Sequence, residues 1–121
     1  MVNHHGVHFL EKKHEKLTIN SSNKNDILQL LGEPSTKSSF DNDVWIYIER
    51  KISTGKIYYL GKEKLIANNV LVLELDSMGL LASKKLYTKK DMKDLKFVEN
   101  STDPVYAKRS FVYDFLSSMR Q

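Results

Sequence analysis

The chain has 121 residues, 40% of them hydrophobic and 28% charged, with a formal net charge of +4. This describes one globular domain with a modest core, and no apolar run approaches the roughly 20 residues needed to cross a bilayer. Cysteine is absent, which excludes disulfides, thiol nucleophiles and zinc–thiolate sites.

Residues 1–8 read as a flexible arm in which His4, His5 and His8 interrupt the place of a signal-peptide core. Phe9 to Leu17 is a short charged helix with Phe9, Leu10 and Leu17 as its apolar anchors, and Ser21-Ser22 separates it from a second helix. Asn23 is a natural N-cap for that helix, with Asp26 at the reciprocal capping position, and Ile27, Leu28, Leu30 and Leu31 supply an apolar face. Gly32 can close it in a left-handed conformation, and Pro34 cannot continue it. Val44 to Ile52 alternates as a strand: Val44, Ile46 and Ile48 form a β-branched core face. Trp45, Tyr47 and Glu49 form the opposite face, to be covered by a loop, by the arm or by a partner.

Ser53-Thr54-Gly55 breaks the strand, and KIYYLG carries a weaker strand signal. Val70 to Leu75 is a second strong strand, Asp76-Ser77-Met78-Gly79 a tight hairpin, and Leu80 to Tyr87 the returning strand. Strands joined so tightly are antiparallel. Lys89 to Lys96 is charged and either helical or loop-like. Residues 99–109 form a polar linker through Pro104, and residues 110–121 an amphipathic helix with Phe111, Phe115 and Met119 four residues apart. The expected fold is α+β: two N-terminal helices on a three-stranded antiparallel meander, α-α-β-β-β, with a C-terminal amphipathic helix.

Few residues point to chemistry. His4 and His8 have the spacing of metal ligands on a helix, but a glycine-containing terminal arm is a poor frame, so no metal or cofactor is expected. Asp41-Asn42-Asp43 opens like a calcium loop, but the glycine and terminal glutamate of such a loop are missing, which leaves a turn. No serine sits in a nucleophile elbow, no glycine-rich phosphate loop is present, and no histidine lies beyond His14. The chain therefore reads as no enzyme. Tyr47, Tyr58, Tyr59 and Tyr87 either cover the sheet or form a base-stacking platform. The net charge is lysine interleaved with acids, and only Arg50, Arg109 and Arg120 could make bidentate phosphate contacts. A nucleic acid is thus an alternative partner rather than the expected one. The Phe111–Met119 helix has two readings, docking on its own domain or engaging another protein.

The helix ending in Gly32-Glu33-Pro34, Phe40 ahead of the Trp45-x-Tyr47 strand, and the hairpin VLVLELDSMGLL together resemble the SmpA/OmlA family, the small outer-membrane lipoproteins known as BamE. The similarity runs from Phe9 to Tyr87. The KISTGKIYYLGKEKLIANN connection and the apolar C-terminal helix resemble alphaproteobacterial members. The resemblance implies a nonenzymatic accessory subunit of the β-barrel assembly machinery, a protein-binding scaffold at the periplasmic face of the outer membrane. It implies BamD-like and BamA-like partners, binding of anionic phospholipid such as phosphatidylglycerol, and a lipid anchor if a lipobox cysteine lies upstream. Carried over by position, Phe9, Leu10 and Phe40 become candidate contacts, joined by Asn42 in the Phe40 loop and by Phe111, Phe115 and Met119. Asn23, Gly32, Pro34, Trp45 and Tyr47 are expected to be structural. Ser21-Ser22 departs from the family's Gly-Met before the helix cap. A basic nucleic-acid-binding α+β module and an inhibitor-like domain of similar build are the alternatives.

Overall fold

The computed structural model describes residues 2–53, 64–93 and 106–119. In chain order these form β1 (Val2–Gly6), α1 (Leu10–His14), α2 (Lys24–Leu31), β2 (Thr36–Ser39), β3 (Asp43–Ser53), β4 (Lys64–Leu75), β5 (Leu81–Tyr87), α3 (Lys89–Lys93) and α4 (Tyr106–Met119). Every strand pairing is antiparallel; β3 pairs with β4, and β4 with β5. On its other edge β3 carries two short strands end to end, β2 against residues 43–46 and β1 against residues 49–53.

Alternation along β3 decides the layering. Trp45 and Tyr47 join Leu71, Leu73 and Leu75 of β4 and Leu81 of β5 on one face, and Leu10, Leu17, Ile27 and Leu31 cover them. Val44 and Ile46 join Val70 and Val72 on the other face, under Met92 of α3 and Leu116 of α4, with Phe111, Val112, Phe115 and Met119 packed around them. A sheet apolar on both faces needs a helical layer on each, and α4 supplies most of the second one. The C-terminal helix therefore docks on its own domain.

The local grammar of the sequence is realised in atoms. Asn23 and Asp26 cap α2 reciprocally, each side chain accepting the other's backbone N–H at 2.9 and 3.0 Å. Gly32 ends α2 at φ 79°, ψ −160°. That is not the left-handed closure expected from the sequence but a region essentially reserved for glycine. This turn leaves the Gly32 carbonyl within reach of Tyr47, whose hydroxyl donates to it at 2.8 Å. The glycine stop and the aromatic strand are thus two ends of one contact. In the β4–β5 hairpin the Asp76 carboxylate accepts from the N–H groups of Met78 and Leu80 at 2.9 and 3.0 Å.

Four expectations change. The described sheet has five strands, not three, because the polar segments VNHHG and TKSS also pair with β3. Neither has an apolar alternation; each is recruited through backbone hydrogen bonds, which hydrophobic patterning does not reveal. Residues 2–6, read as a flexible arm, lie so close to β3 that a Cβ on Gly6 would overlap the Ile48 carbonyl, and Gly6 adopts φ +87°. The first helix covers only Leu10–His14, and Leu17 is buried beyond its end. The C-terminal helix begins at Tyr106, inside the expected linker. The KIYYLG strand, residues 94–96 and the linker up to residue 105 lie outside the described residues.

Because α4 is held chiefly by its apolar face, Leu116→Ala is expected to cost about 2–5 kcal/mol, against less than about 0.5 kcal/mol for Asp114→Ala on the exposed face. Urea denaturation followed by circular dichroism checks both; equal effects would contradict the docking.

Candidate functional site

The most unusual backbone among the described residues is at Phe9. It adopts φ 59°, ψ 41°, a left-handed conformation that bulky side chains rarely enter, at a cost on the order of 1–3 kcal/mol. A buried carboxylate offsets that cost. Glu49, only 4% exposed, projects from β3 and accepts the Phe9 N–H at 2.8 Å and the Leu10 N–H at 3.0 Å. Asn69, its cross-strand neighbour, donates to the same carboxylate at 3.3 Å. Consecutive amides turned toward one anion form a nest, which requires residues of opposite handedness in succession. As a result Leu10 points into the core, fully buried, while Phe9 stands outside at 61% exposure. The Lys51 ammonium lies 6.0 Å from the Phe9 ring centroid, and the His8 ring centroid lies 6.4 Å away.

The other end of α1 is gripped as firmly. Lys84 of β5 donates to the carbonyls of His14 and Leu17 at 2.9 and 2.8 Å. A five-residue helix has no stability of its own, so a carboxylate at its amides and an ammonium at its last carbonyls determine where it sits.

A second group of expected contact residues is turned inward. The Phe40 ring packs against Phe111 with centroids 5.8 Å apart. Phe115 and Met119 belong to the same cluster under α4. These four side chains are contacts between α4 and the rest of its own chain. Asn42 sits in the loop beside them, its N–H donating to the Asp41 carboxylate at 2.9 Å and its carbonyl accepting from the Phe40 N–H. Lys108, on the first turns of α4 and 10% exposed at its side chain, bridges Glu74 at 2.8 Å and Asp41 at 3.1 Å. Burial by itself depresses the Lys108 ammonium, but its hydrogen bonds to Glu74 and Asp41 outweigh that, and its pKa stands above the usual lysine value. The Lys108 hydrogen bond, with the Asn42 amide second, holds the Asp41 carboxyl below the usual carboxylate range.

Trp45 lies in the core, and the ammonium groups of Lys24 and Lys37 stand 6.0 and 5.1 Å from its ring centroid. They border an open groove with Ser38, Ser39 and Asp43. Lys24 pairs with Asp43 at 3.0 Å and Lys37 with Glu33 at 3.4 Å, so the groove has little uncompensated charge with which to attract an anion. The Ser39 hydroxyl first, then Lys24, lowers the Asp43 pKa.

Of the structural residues expected from the sequence, Asn23, Gly32, Trp45 and Tyr47 occupy the cap, stop and core described above, and Pro34 is half-buried after the stop. Burial, with Glu33 adding to it, raises the Tyr47 phenol well above its usual value. Tyr47 and Tyr87 lie on opposite faces of the sheet, so they form no common stacking platform; Tyr58 and Tyr59 lie outside the described residues. Among the described residues no cluster of three or more ligating side chains could hold a metal ion, and no helix is long and apolar enough to cross a membrane. Sequence reasoning missed Glu49, Lys84 and Lys108. Glu49 did leave a signal, since a carboxylate in phase with Trp45 and Tyr47 falls on a covered face. The two lysines are indistinguishable in sequence from their solvated neighbours.

A family model for the outer membrane protein assembly factor BamE domain matches residues 6–85, more than half of the chain. Comparisons with curated proteins and with solved structures return no match. The matched span contains α1, α2, β2 to β4, most of β5 and the Phe9 turn, and α3 and α4 lie beyond it.

The Lys108 bridge makes α4 docking pH-dependent with a defined sign. The lowered Asp41 pKa contributes stability above the usual carboxylate range that is lost as pH falls through its folded value. The raised Lys108 pKa contributes stability below the usual lysine value that is lost as pH rises through its folded value. Docking should therefore weaken below about pH 4 and above about pH 10.5. Lys108→Met should remove this bridge's share of both limbs and cost about 1–3 kcal/mol near neutrality by leaving Glu74 unpaired. Urea midpoints across pH for both proteins test this.

Proposed function

We infer the role of this protein from its kinship: the chain belongs to the outer membrane protein assembly factor BamE family. The family is outer-membrane associated and acts with the β-barrel assembly machinery. Within that role we read this chain as a noncovalent scaffold at the periplasmic face of the membrane, binding BamD-like and BamA-like subunits. Anchoring by an upstream lipobox cysteine and contact with anionic phospholipid fit the same placement.

The observation that carries the scaffold reading is the Phe9 turn. A large apolar side chain held outside the domain in a strained, hydrogen-bonded turn suits a rigid anchor for a partner's pocket. Phe40 and the α4 side chains Phe111, Phe115 and Met119 pack α4 onto its own domain instead, and Leu10 supports the anchor from within the core. We read Asn42, in the Phe40 loop, as a further contact for a partner.

Pull-down with purified BamD-like and BamA-like subunits tests this reading. Phe9→Ala is expected to weaken capture by about tenfold or more, as for an interface hot spot, with an unchanged circular dichroism spectrum. Phe40→Ala should instead lower stability through loss of its contact with Phe111. Undiminished capture by Phe9→Ala would remove Phe9 from the interface.

A further inference from the structure

We propose that Glu49 is a positioning residue for partner binding: its buried carboxylate locks the Phe9 turn so that the ring is presented, already ordered, to an apolar pocket with an acidic rim on a partner protein. This rests on the reading of Phe9 as a partner contact and adds to it the device that sets the contact and the chemistry of its receptor.

The argument starts from a conflict. A helix N-cap is ordinarily extended, yet Phe9 is left-handed. No glycine or asparagine makes that conformation easy, and Phe9 gains no burial from it. What the turn achieves is to aim two successive amides at one carboxylate that is almost sealed from water. Inside that low-dielectric site the two bonds are strong, and breaking them would leave a buried charge short of its partners. The lock therefore resists fluctuation, and it separates the directions of Phe9 and Leu10. Leu10 anchors the turn in the core, and Phe9 stays ordered and exposed without having to be ordered on binding.

The surroundings of the ring specify its receptor. Lys51 of β3 stands over the Phe9 ring, whereas on α1 and the turn after it the exposed Lys12 and Lys16 are offset by the exposed Glu11 and Glu15. An apolar anchor with an ammonium standing over its ring fits a hydrophobic pocket that sets an aspartate or glutamate beside that lysine, where the rim charge adds rate and specificity.

The test uses the full chain as wild type, Glu49→Gln, Phe9→Ala, the double variant, and Phe9→Gly. Amide hydrogen exchange by NMR reads the lock without any partner. Glu49→Gln, which puts an amide nitrogen where one acceptor was, should speed exchange at Phe9 and Leu10 by about tenfold or more while β4 amides keep their protection. Phe9→Gly retains the turn without strain, so it should keep that protection, unfold at an equal or higher temperature, and still lose capture. This variant keeps the proposal testable if Glu49→Gln fails to fold.

Titration against the purified BamD-like and BamA-like subunits reads the function. Phe9→Ala and Glu49→Gln should each weaken binding by about tenfold, and the double variant should bind no worse than Phe9→Ala alone. Additive losses would make Glu49 a purely structural residue and overturn the positioning role, as would unchanged exchange at Phe9 and Leu10. Phe9-dependent binding to phosphatidylglycerol vesicles without subunit capture would assign the anchor to lipid and overturn the protein pocket. If the wild type captures neither subunit, the assembly-machinery reading falls together with the receptor named here, while the exchange data still decide whether Glu49 sets the turn.

Discussion

Strand β3 gives neither a face nor an edge to solvent over most of its length. Its edges are taken by β4 on one side and by β1 and β2 on the other. Its faces carry Trp45 and Tyr47 against α1 and α2, and Val44 and Ile46 against α4. Fully burying side chains of this kind is worth roughly 1.5–3 kcal/mol each, so a strand with two such faces rewards a helical layer on both sides. The rest of the architecture answers that demand. The buried side chains of α1 and α2 pack on one face of β3 and β4, and those of α3 and α4 on the other.

Polar side chains from the sheet and from the Phe40 loop anchor both α1 and α4 near their ends. Glu49 and Lys84 hold the two ends of α1. At α4, Glu74 and Asp41 hold Lys108 near the start, and Asn68 of β4 donates to the Met119 carbonyl at the end at 2.7 Å. Both pairs put a hydrogen bond where a helix terminus would otherwise leave backbone or charge unsatisfied. The two anchorings differ in kind. The carboxylate that holds α1 is almost sealed from water, whereas Asp41 at α4 is largely exposed and its share of that anchoring is the more screened. The role proposed for Phe9 draws on that seal, because a side chain ordered beforehand loses less entropy on binding.

Several features could be read before any coordinates. The reciprocal cap of Asn23 and Asp26 and the Asp76 turn depend on residues a few positions apart, so sequence order contains the whole interaction. The alternation of β3 and β4 was legible for the same reason: strand geometry sends successive side chains to opposite faces. Phe9 and Leu10 look alike in sequence as adjacent apolar residues, yet one is core and the other surface. Their separation depends on Glu49, which lies 39 residues or more away along the chain. The inward turn of Phe40, Phe111, Phe115 and Met119 was equally hidden, since an amphipathic helix announces that it needs a surface and not which surface it finds.

The sequence by itself therefore determined the capped helix, the hairpin, the two-faced strand and the family. All of these rest on local geometry, or on the order of local motifs. Tertiary structure alone decided that β1 and β2 complete the edge of the sheet, because strand pairing through the backbone leaves no side-chain pattern to read. It also decided that α4 covers the second face, and that a buried glutamate turns Phe9 outward. Those outcomes depend on which distant groups meet once the chain is closed, and a buried charge settles its partners only when water has been excluded around it.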